Sequence, residues 1–243
     1  MALLNQVVAH SSQTPVVSIN SQNDNGTYRT QSVSFTTEAG LVLDAQLLVP
    51  DAGGTKPALV YVETTALGST GAQQLAASGT VVLDLMPRGL PSGVDPTVPL
   101  GDWVSNVRAL LIGRTLPGMR AYDILQGVEI LAARGDVDPA RISVLASGVA
   151  GFWALVAAAT DSRIASVQID LTPYSFQPAL DGPVHHGLHD AIIGGFFLQF
   201  DIADVRLELC HAAGRERLAK QAPVALMCRR ISGLDCRYWP KSL

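Results

Sequence analysis

The residues with the clearest capacity for chemistry form one short run, 146–151 (ASGVAG), between two apolar segments. The run fits the pattern small-x-nucleophile-x-small, in which a sharp strand-to-helix turn presents a nucleophile to a carbonyl carbon. Only one register has small residues on both sides, with Ala146 and Ala150 flanking Gly148. The nucleophile position is therefore predicted to be Gly148. Glycine suits a strained backbone but has no atom that can attack a carbonyl.

The other groups near this turn are less specific. A second register would make Ser147 the nucleophile, but Leu145 and Val149 would then occupy the small positions and clash. A loop hydroxyl is the simpler interpretation of Ser147, and its use as a nucleophile stays open. Backbone N–H groups after the preceding strand and after the nucleophile polarise the carbonyl oxygen in such sites. We expect these donors at Glu63, Thr64 and Val149.

A complete triad also needs an acid and a histidine later in the chain. Asp235 is the position-matched acid because it follows a predicted strand at 223–227, although a surface carboxylate is the simpler interpretation. No histidine follows Asp235 in the sequence. His211 precedes that strand, so its use as the base would break the expected order. The sequence therefore predicts an incomplete catalytic set.

The remaining metal-binding residue types do not form a recognisable site. Residues 185–190 (HHGLHD) offer histidine and aspartate ligands, but no second cluster stands at a usable spacing. We predict a polar loop there, no metal and no cofactor. The three cysteines, Cys210, Cys228 and Cys236, lack CxxC spacing, and such a late, odd set is typical of free thiols.

The composition indicates a folded domain with a large apolar core. Of the 243 residues, 48% are hydrophobic and 16% are charged, and the net charge is −4. An acidic surface does not attract phosphate backbones or anionic lipid, so we predict no nucleic-acid or membrane partner. The uncharged stretch 142–160 has the length of a membrane span, but its glycines and serines fit a strand, turn and helix better. The N-terminus lacks a secretory signal pattern, which makes the cytoplasm the default expectation.

Apolar periodicity predicts an alternating series of strands and helices. Segments 30–37 and 41–50 predict an antiparallel hairpin. Short continuous apolar runs predict buried strands, and helical spacing predicts the helices between them. This alternation implies right-handed crossovers and a mostly parallel sheet flanked by helices. No strand ends in GxGxxG, which argues against a dinucleotide-binding fold. The predicted strands are 58–62, 80–85, 141–146 and 166–171, and the predicted helices are 72–78, 119–134, 150–160 and 203–220.

Four segments carry a family resemblance: the hairpin 37–50, the strand 57–62, the stretch 113–123 and the step 137–142 (VDPARI). Over about two thirds of its length the chain resembles α/β hydrolases of the acetyl xylan esterase-like group. The resemblance implies the α/β-hydrolase fold, carboxylic ester hydrolysis, and a small ester or acetylated carbohydrate as the ligand. The family's nucleophile would map onto Gly148, where this sequence departs from the pattern.

We predict two parts of unequal size. Residues 1–30 are polar and are expected to form a leader that docks loosely or lies on the surface, and 31–243 are expected to form one α/β-hydrolase-like domain. Residues 206–243 hold 8 of the 17 lysines and arginines together with all the cysteines, so the C-terminal part is a candidate for truncation. An unpaired sheet edge after the last predicted strand makes a homodimer an expectation.

Three functional hypotheses follow from these residues. The first is a carboxylic ester hydrolase scaffold that is weak or inactive because Gly148 occupies the nucleophile position. The second is a non-catalytic binding module or a fragment of a larger two-domain esterase. The third is an active esterase that uses Ser147. The glycine at position 148 is the sequence feature that favours the first two hypotheses over an active serine esterase.

Overall fold

A computed structural model describes residues 2–8, 14–90, 103–170, 175–177, 181, 189–199, 201–206 and 209. Within them, seven strands form one sheet and five helices flank it, as predicted for an α/β architecture. Two short 3-10 helices, His189–Ala191 and Phe196–Leu198, follow the last strand. The strands are β1 (Val17–Asp24), β2 (Tyr28–Glu38), β3 (Leu41–Pro50), β4 (Lys56–Val62), β5 (Val81–Leu85), β6 (Val137–Ser147) and β7 (Ile164–Asp170). The helices are α1 (Ala2–Val7), α2 (Thr70–Ala77), α3 (Trp103–Leu111), α4 (Leu116–Ala132) and α5 (Val149–Thr160).

The sheet joins an antiparallel half to a parallel half, in the strand order β1-β2-β3-β5-β4-β6-β7. The strands β1, β2 and β3 pair antiparallel, and β3 pairs antiparallel with β5. The strands β5, β4, β6 and β7 run parallel. Near the carboxyl ends of the two central strands, Val62 of β4 pairs with Ala146 of β6. The loops that follow these strands therefore start side by side, at the edge where open α/β sheets bind ligands.

The two faces of the sheet are covered unequally. On one face α4 and α5 build the main core, and Gly127 of α4 lies against Leu83 of β5. On the other face α2 covers a smaller cluster in which Ala76 packs with Val82. Successive residues of a strand point to opposite faces, so Asp84 shares the α2 face with Val82.

The uncharged stretch 142–160 forms the end of β6, a turn at Gly148 and α5, so the predicted strand, turn and helix are confirmed. Apolar side chains of α5 are buried on all sides; Trp153, for example, has no exposed surface. Burial against the sheet and α4 therefore explains the absence of charge. In the part of the chain that the structure describes, no helix is both long and apolar enough to cross a bilayer.

The first 30 residues differ from the expectation of a loosely placed leader. Leu4 and Val8 are buried in the main core, and α1 packs so closely on α4 that a Cβ at Gly118 would lie 2.3 Å from the carbonyl oxygen of Val7. Residues 17–24 form the edge strand β1, paired along its length with β2. The expectation is therefore wrong for 2–8, which is packed into the core, whereas β1 lies on the surface as an exposed edge strand. The domain boundary at 31 stays a prediction.

Two further differences concern the helices. The helix α3 was not predicted because it follows a proline- and glycine-rich segment, and α4 begins three residues before the predicted start at 119. Near the C-terminus, most of the predicted helix 203–220, the predicted strand 223–227 and the three cysteines lie outside the described residues.

Candidate functional site

The turn between β6 and α5 has an unusual backbone conformation at Gly148, with φ +57° and ψ −140°. Residues with a Cβ rarely adopt a positive φ, and they do so mainly where the surroundings enforce it. Apart from Gly148 and its two chain neighbours, no described residue has an atom within 4 Å of the position that a Cβ at 148 would occupy. Ser147 and Gly148 are both exposed. The turn therefore presents position 148 openly at the carboxyl edge of the sheet.

The backbone N–H groups expected to polarise a carbonyl differ in whether they are available. Val149 is the first residue of α5, so its N–H belongs to the helix turn that lacks intrahelical partners and carries the positive end of the helix dipole. The N–H of Glu63 donates to the carbonyl oxygen of Leu85 at 2.9 Å and continues the ladder between β4 and β5. The expectation of a free donor is therefore wrong at Glu63, and the donors at Thr64 and Val149 stay predictions.

The remaining predicted site residues fall largely beyond what the structure describes. Asp235 and His211 lie outside the described residues, as do His185 and His186. His189 opens the first 3-10 helix. Among the described residues, no group of three histidine, cysteine, aspartate or glutamate side chains could hold a metal ion. The two predicted triad partners of the turn, Asp235 and His211, therefore both stay predictions.

The loop that links β4 to α2, residues 63–69, is held by Asp84 of β5. Asp84 is fully buried, and its Oδ2 accepts the N–H of Gly68 at 2.6 Å and that of Ser69 at 3.4 Å. Its Oδ1 has no hydrogen-bond partner in the described part of the chain. Burial, with a smaller contribution from the Glu63 carboxylate, raises the pKa of Asp84 from 3.8 to about 6, against the opposing effect of the two loop N–H groups.

A buried ion pair fixes the segment that follows β5. Arg88 donates from Nε and Nη2 to the two carboxylate oxygens of Asp123, at 2.9 and 2.5 Å. The backbone N–H of Arg88 and the hydroxyl of Thr37 donate to the same carboxylate at 3.0 and 2.9 Å. Asp123 lies fully buried in α4, so four donors satisfy one buried charge. The segment after β5 is thereby tied both to α4 and to the end of β2.

Glu38, the last residue of β2, extends this network toward the start of α4. It accepts two hydrogen bonds from Arg114, at 2.8 and 2.6 Å, and one from Arg88 at 3.2 Å. These cations, Arg114 foremost, lower the pKa of Glu38 from 4.5 to about 2. Two carboxylates and two guanidinium groups therefore balance one another next to the carboxyl edge of the sheet.

A second buried cation, Arg120, lies one turn into α4. Its Nε donates to the carbonyl oxygen of Arg88 at 3.2 Å, and its guanidinium carbon lies 4.4 Å from the ring centroid of Trp153 in α5. Its Nη1 is 2.9 Å from Oδ1 of Asp190, as an ion pair whose angle falls outside hydrogen-bond geometry. The Trp153 indole N–H donates to the Asp190 carbonyl oxygen at 2.6 Å. These contacts fix the first 3-10 helix against α4 and α5.

Comparisons with known proteins identify the architecture. No protein-family profile and no curated protein matches the chain. A provisionally assigned acetyl xylan esterase from Bacteroides fragilis aligns with a TM-score of 0.70 and 14% identity, over 86% of this chain and 62% of its own. Acetyl xylan esterase 1 from Thermoanaerobacterium sp. aligns with a TM-score of 0.58 and 19% identity, over 74% of this chain and 59% of its own. This chain has the α/β-hydrolase fold.

The likeness concerns the fold, since the identities are low. An acetyl xylan esterase from Paenibacillus sp. R4 gives a TM-score of 0.54 at 19% identity, over 87% of this chain and 69% of its own. The chain spans 62% and 59% of the first two aligned proteins. The predicted fold class is confirmed: the α/β-hydrolase fold, with its antiparallel opening hairpin β2–β3 and its parallel strands.

Sequence reasoning missed the residues that hold the edge of this hydrolase fold. Asp84, Arg88 and Asp123 were not predicted as site residues, because each acts through partners far away in the sequence. One signal was available for Asp84, which stands inside the apolar run 81–85. Aspartate is almost never fully buried unless it has a partner. An aspartate in a buried strand is therefore expected to hydrogen-bond to a specific group.

Proposed function

We propose that this chain is a relative of the carboxylic ester hydrolases that binds small acyl esters without hydrolysing them efficiently. The observation that carries the proposal is Gly148. It stands at the turn between a central parallel strand and a helix, where the hydrolase fold places its nucleophile. Glycine tolerates the positive φ of the turn but supplies no attacking atom. A positive φ at a residue without an attacking atom supports a fold that binds esters without hydrolysing them efficiently.

The proposed ligand class follows from the groups that remain at this edge. The first N–H groups of α5 and the positive end of its dipole favour the partial negative charge of a carbonyl oxygen. Exposure of Ser147 and Gly148 leaves that end of the helix accessible. The aligned proteins are named as acetyl xylan esterases, which supports an acetylated carbohydrate as the ligand.

A p-nitrophenyl acetate assay tests the catalytic half of the proposal. Wild-type protein and Ser147→Ala are both expected to show background rates only. The second candidate function, an active esterase that uses Ser147, is favoured by the exposure of Ser147 at the end of β6. It requires turnover in the wild-type protein that Ser147→Ala abolishes, and that result would replace the first proposal with the second.

Calorimetric titration tests the binding half of the proposal. Partially acetylated xylo-oligosaccharide is the probe, and the same material after chemical deacetylation is the matched control. Heat of binding is expected for the acetylated form and not for the control. Equal binding of both forms, or binding of neither, would contradict recognition of the acyl group.

Substitution of the turn residue gives a sharper prediction. Gly148→Ser is expected to fold, because no described atom obstructs a Cβ there and the hydrolase turn accommodates serine at a positive φ. Its esterase rate is expected to stay within about tenfold of the wild-type background, because a serine without a positioned histidine lacks the general base that activates it. Circular dichroism checks the fold, and the same assay measures the rate. Burst kinetics or saturable turnover near that of ordinary esterases would show that a base is in place.

A further inference from the structure

The loop 63–69 lies between the carboxyl end of a central strand and the first turn of α2, so its shape helps to define the edge that Gly148 shares. We propose that Asp84 is a positioning residue that sets the conformation of this loop according to whether its carboxyl group is ionised. The consequence for ligand binding rests on the function proposed above. The anchoring itself stands on the contacts of Asp84 alone.

The geometry gives this one carboxylate control of the loop. Oδ2 of Asp84 receives both the Gly68 and the Ser69 N–H, immediately before α2 begins at Thr70. Gly68 has φ +87°, so the chain reverses there in a conformation that other residues rarely adopt. The Ser69 hydroxyl then accepts the N–H of Ala72 as the N-cap of α2. Releasing Oδ2 would therefore loosen both the loop and the helix start.

The surroundings of Asp84 contain few other charges. On the neighbouring strand β4, Tyr61 pairs opposite Asp84 and Glu63 lies beyond it, while on β3 the opposite residue is Gln46. Asp44 lies on the same face of β3 as Gln46 and is exposed. The helix α2, which covers this face, has no titratable residue. Glu63 is the one carboxylate whose charge adds to the effect of burial on the pKa of Asp84, and the two together bring that pKa to about 6.

Ionisation changes the strength of the loop contacts. The ionised carboxylate accepts charge-assisted hydrogen bonds, which are about twice as strong as those to a neutral acceptor. Protonation removes that charge, and Oδ1, which has no partner in the described residues, is the oxygen free to take the proton. The loop is therefore held firmly above about pH 6 and more weakly below it.

Amide chemical shifts test the anchoring directly. In the wild-type protein, the Gly68 and Ser69 amide protons are expected to move downfield with rising pH, with one midpoint near pH 6, and the Asp84 carboxyl carbon is expected to titrate with the same midpoint. Asp84→Asn, which keeps the side-chain shape, is expected to abolish this titration, whereas Asp44→Asn, a matched change on the same face, should preserve it. Wild-type amides that do not titrate between pH 4.5 and 8, or a titration that survives in Asp84→Asn, would overturn the proposal.

A binding measurement separates this inference from the proposed function. The affinity for acetylated xylo-oligosaccharide is expected to be higher at pH 7.5 than at pH 5 in the wild-type protein, because the ionised Asp84 holds the loop more firmly. It is expected to stay constant in Asp84→Asn. Absence of binding at every pH, with the amide titration intact, would overturn the proposed function and leave the anchor standing. If the pH dependence of binding persists unchanged in Asp84→Asn, the proposed role of Asp84 in shaping the site is overturned.

Discussion

Asp123→Ala is expected to lower the free energy of unfolding by about 3–5 kcal/mol, the range for removing one partner of a buried ion pair. The loss is large because the Arg88 guanidinium, almost fully buried, would keep its charge without its bidentate acceptor. Two neutral donors, the Arg88 backbone N–H and the Thr37 hydroxyl, would lose the same acceptor. Urea unfolding followed by circular dichroism measures the change.

An exposed ion pair of the same chemistry provides the control for this prediction. Arg29 and Asp51 meet at 3.2 Å with side chains that are 45% and 40% exposed. Asp51→Ala is expected to change the free energy of unfolding by no more than about 1 kcal/mol, because water solvates both charges after the pair is broken. A loss of similar size in the two variants would contradict the importance assigned to burial. So would a loss below about 1 kcal/mol in Asp123→Ala.

The Arg88→Met and Asp123→Leu double variant distinguishes a broken pair from a missing one. In the single variant Asp123→Ala, the buried Arg88 guanidinium keeps only its 3.2 Å contact with Glu38. With both charges removed, no buried guanidinium is left without its bidentate acceptor, so the double variant is expected to lose less stability than the sum of the two single variants. Recovery should be incomplete, because the Thr37 hydroxyl still lacks its acceptor. The double-mutant cycle therefore measures how much of the effect belongs to the pair itself.

The sequence predicted those strands in which buried and exposed side chains follow a regular pattern. β4 and β5 are covered on both faces and read as continuous apolar runs, and β2 and β3 alternate as a hairpin should. The edge strand β1 gave no such signal, because its residues are polar and mostly exposed on both faces. Its formation depends on backbone pairing with β2, which no periodicity records.

The candidate site likewise contains one feature that the sequence predicted and others that it did not. The turn at Gly148 was predictable, because the requirement for small residues is local and is written into residues 146–150. The supporting polar groups were not, because a hydrogen bond between Asp84 and Gly68, or between Thr37 and Asp123, joins residues that only the fold brings together. The donor expected at Glu63 failed for a related reason, since its N–H is used by the neighbouring strand at Leu85.

These features make position 148 stronger support for the hydrolase fold than for hydrolysis. The turn has a positive φ and an open Cβ position at 148, and the glycine there adopts this conformation without strain. The ionic network of Arg88, Asp123 and Glu38 fixes the segment after β5, at the carboxyl edge of the same sheet. The proposed binding role rests on the accessibility of this edge and on the glycine at position 148, and the Gly148→Ser variant tests it.

The pH dependence of stability gives the second large effect, through Asp84. Because burial raises its pKa from 3.8 to about 6, the folded protein holds this proton more tightly than the unfolded chain. Its contribution to stability is therefore greatest below pH 3.8 and is lost as the pH rises through about 6. The difference of about two pKa units corresponds to up to about 3 kcal/mol. Glu38, whose pKa is lowered from 4.5 to about 2, contributes in the opposite direction: its contribution is present above pH 4.5 and is lost as the pH falls through about 2.

Asp84→Asn isolates this effect, because every other titrating group is common to the two proteins. The free energy of unfolding of the variant minus that of the wild type is expected to rise by up to about 3 kcal/mol between pH 4 and pH 7.5. The size of the stability difference at any one pH also depends on the amide nitrogen that Asp84→Asn introduces, which replaces an oxygen that has no partner in the described residues. The change of the stability difference with pH is therefore the quantity to measure. Urea unfolding at four or five pH values gives the slope. A stability difference between Asp84→Asn and the wild type that does not change with pH would contradict this prediction. It would mean that Asp84 ionises as easily in the folded protein as in the unfolded chain. The charge that holds the loop at Gly68 and Ser69 would then be present throughout this range.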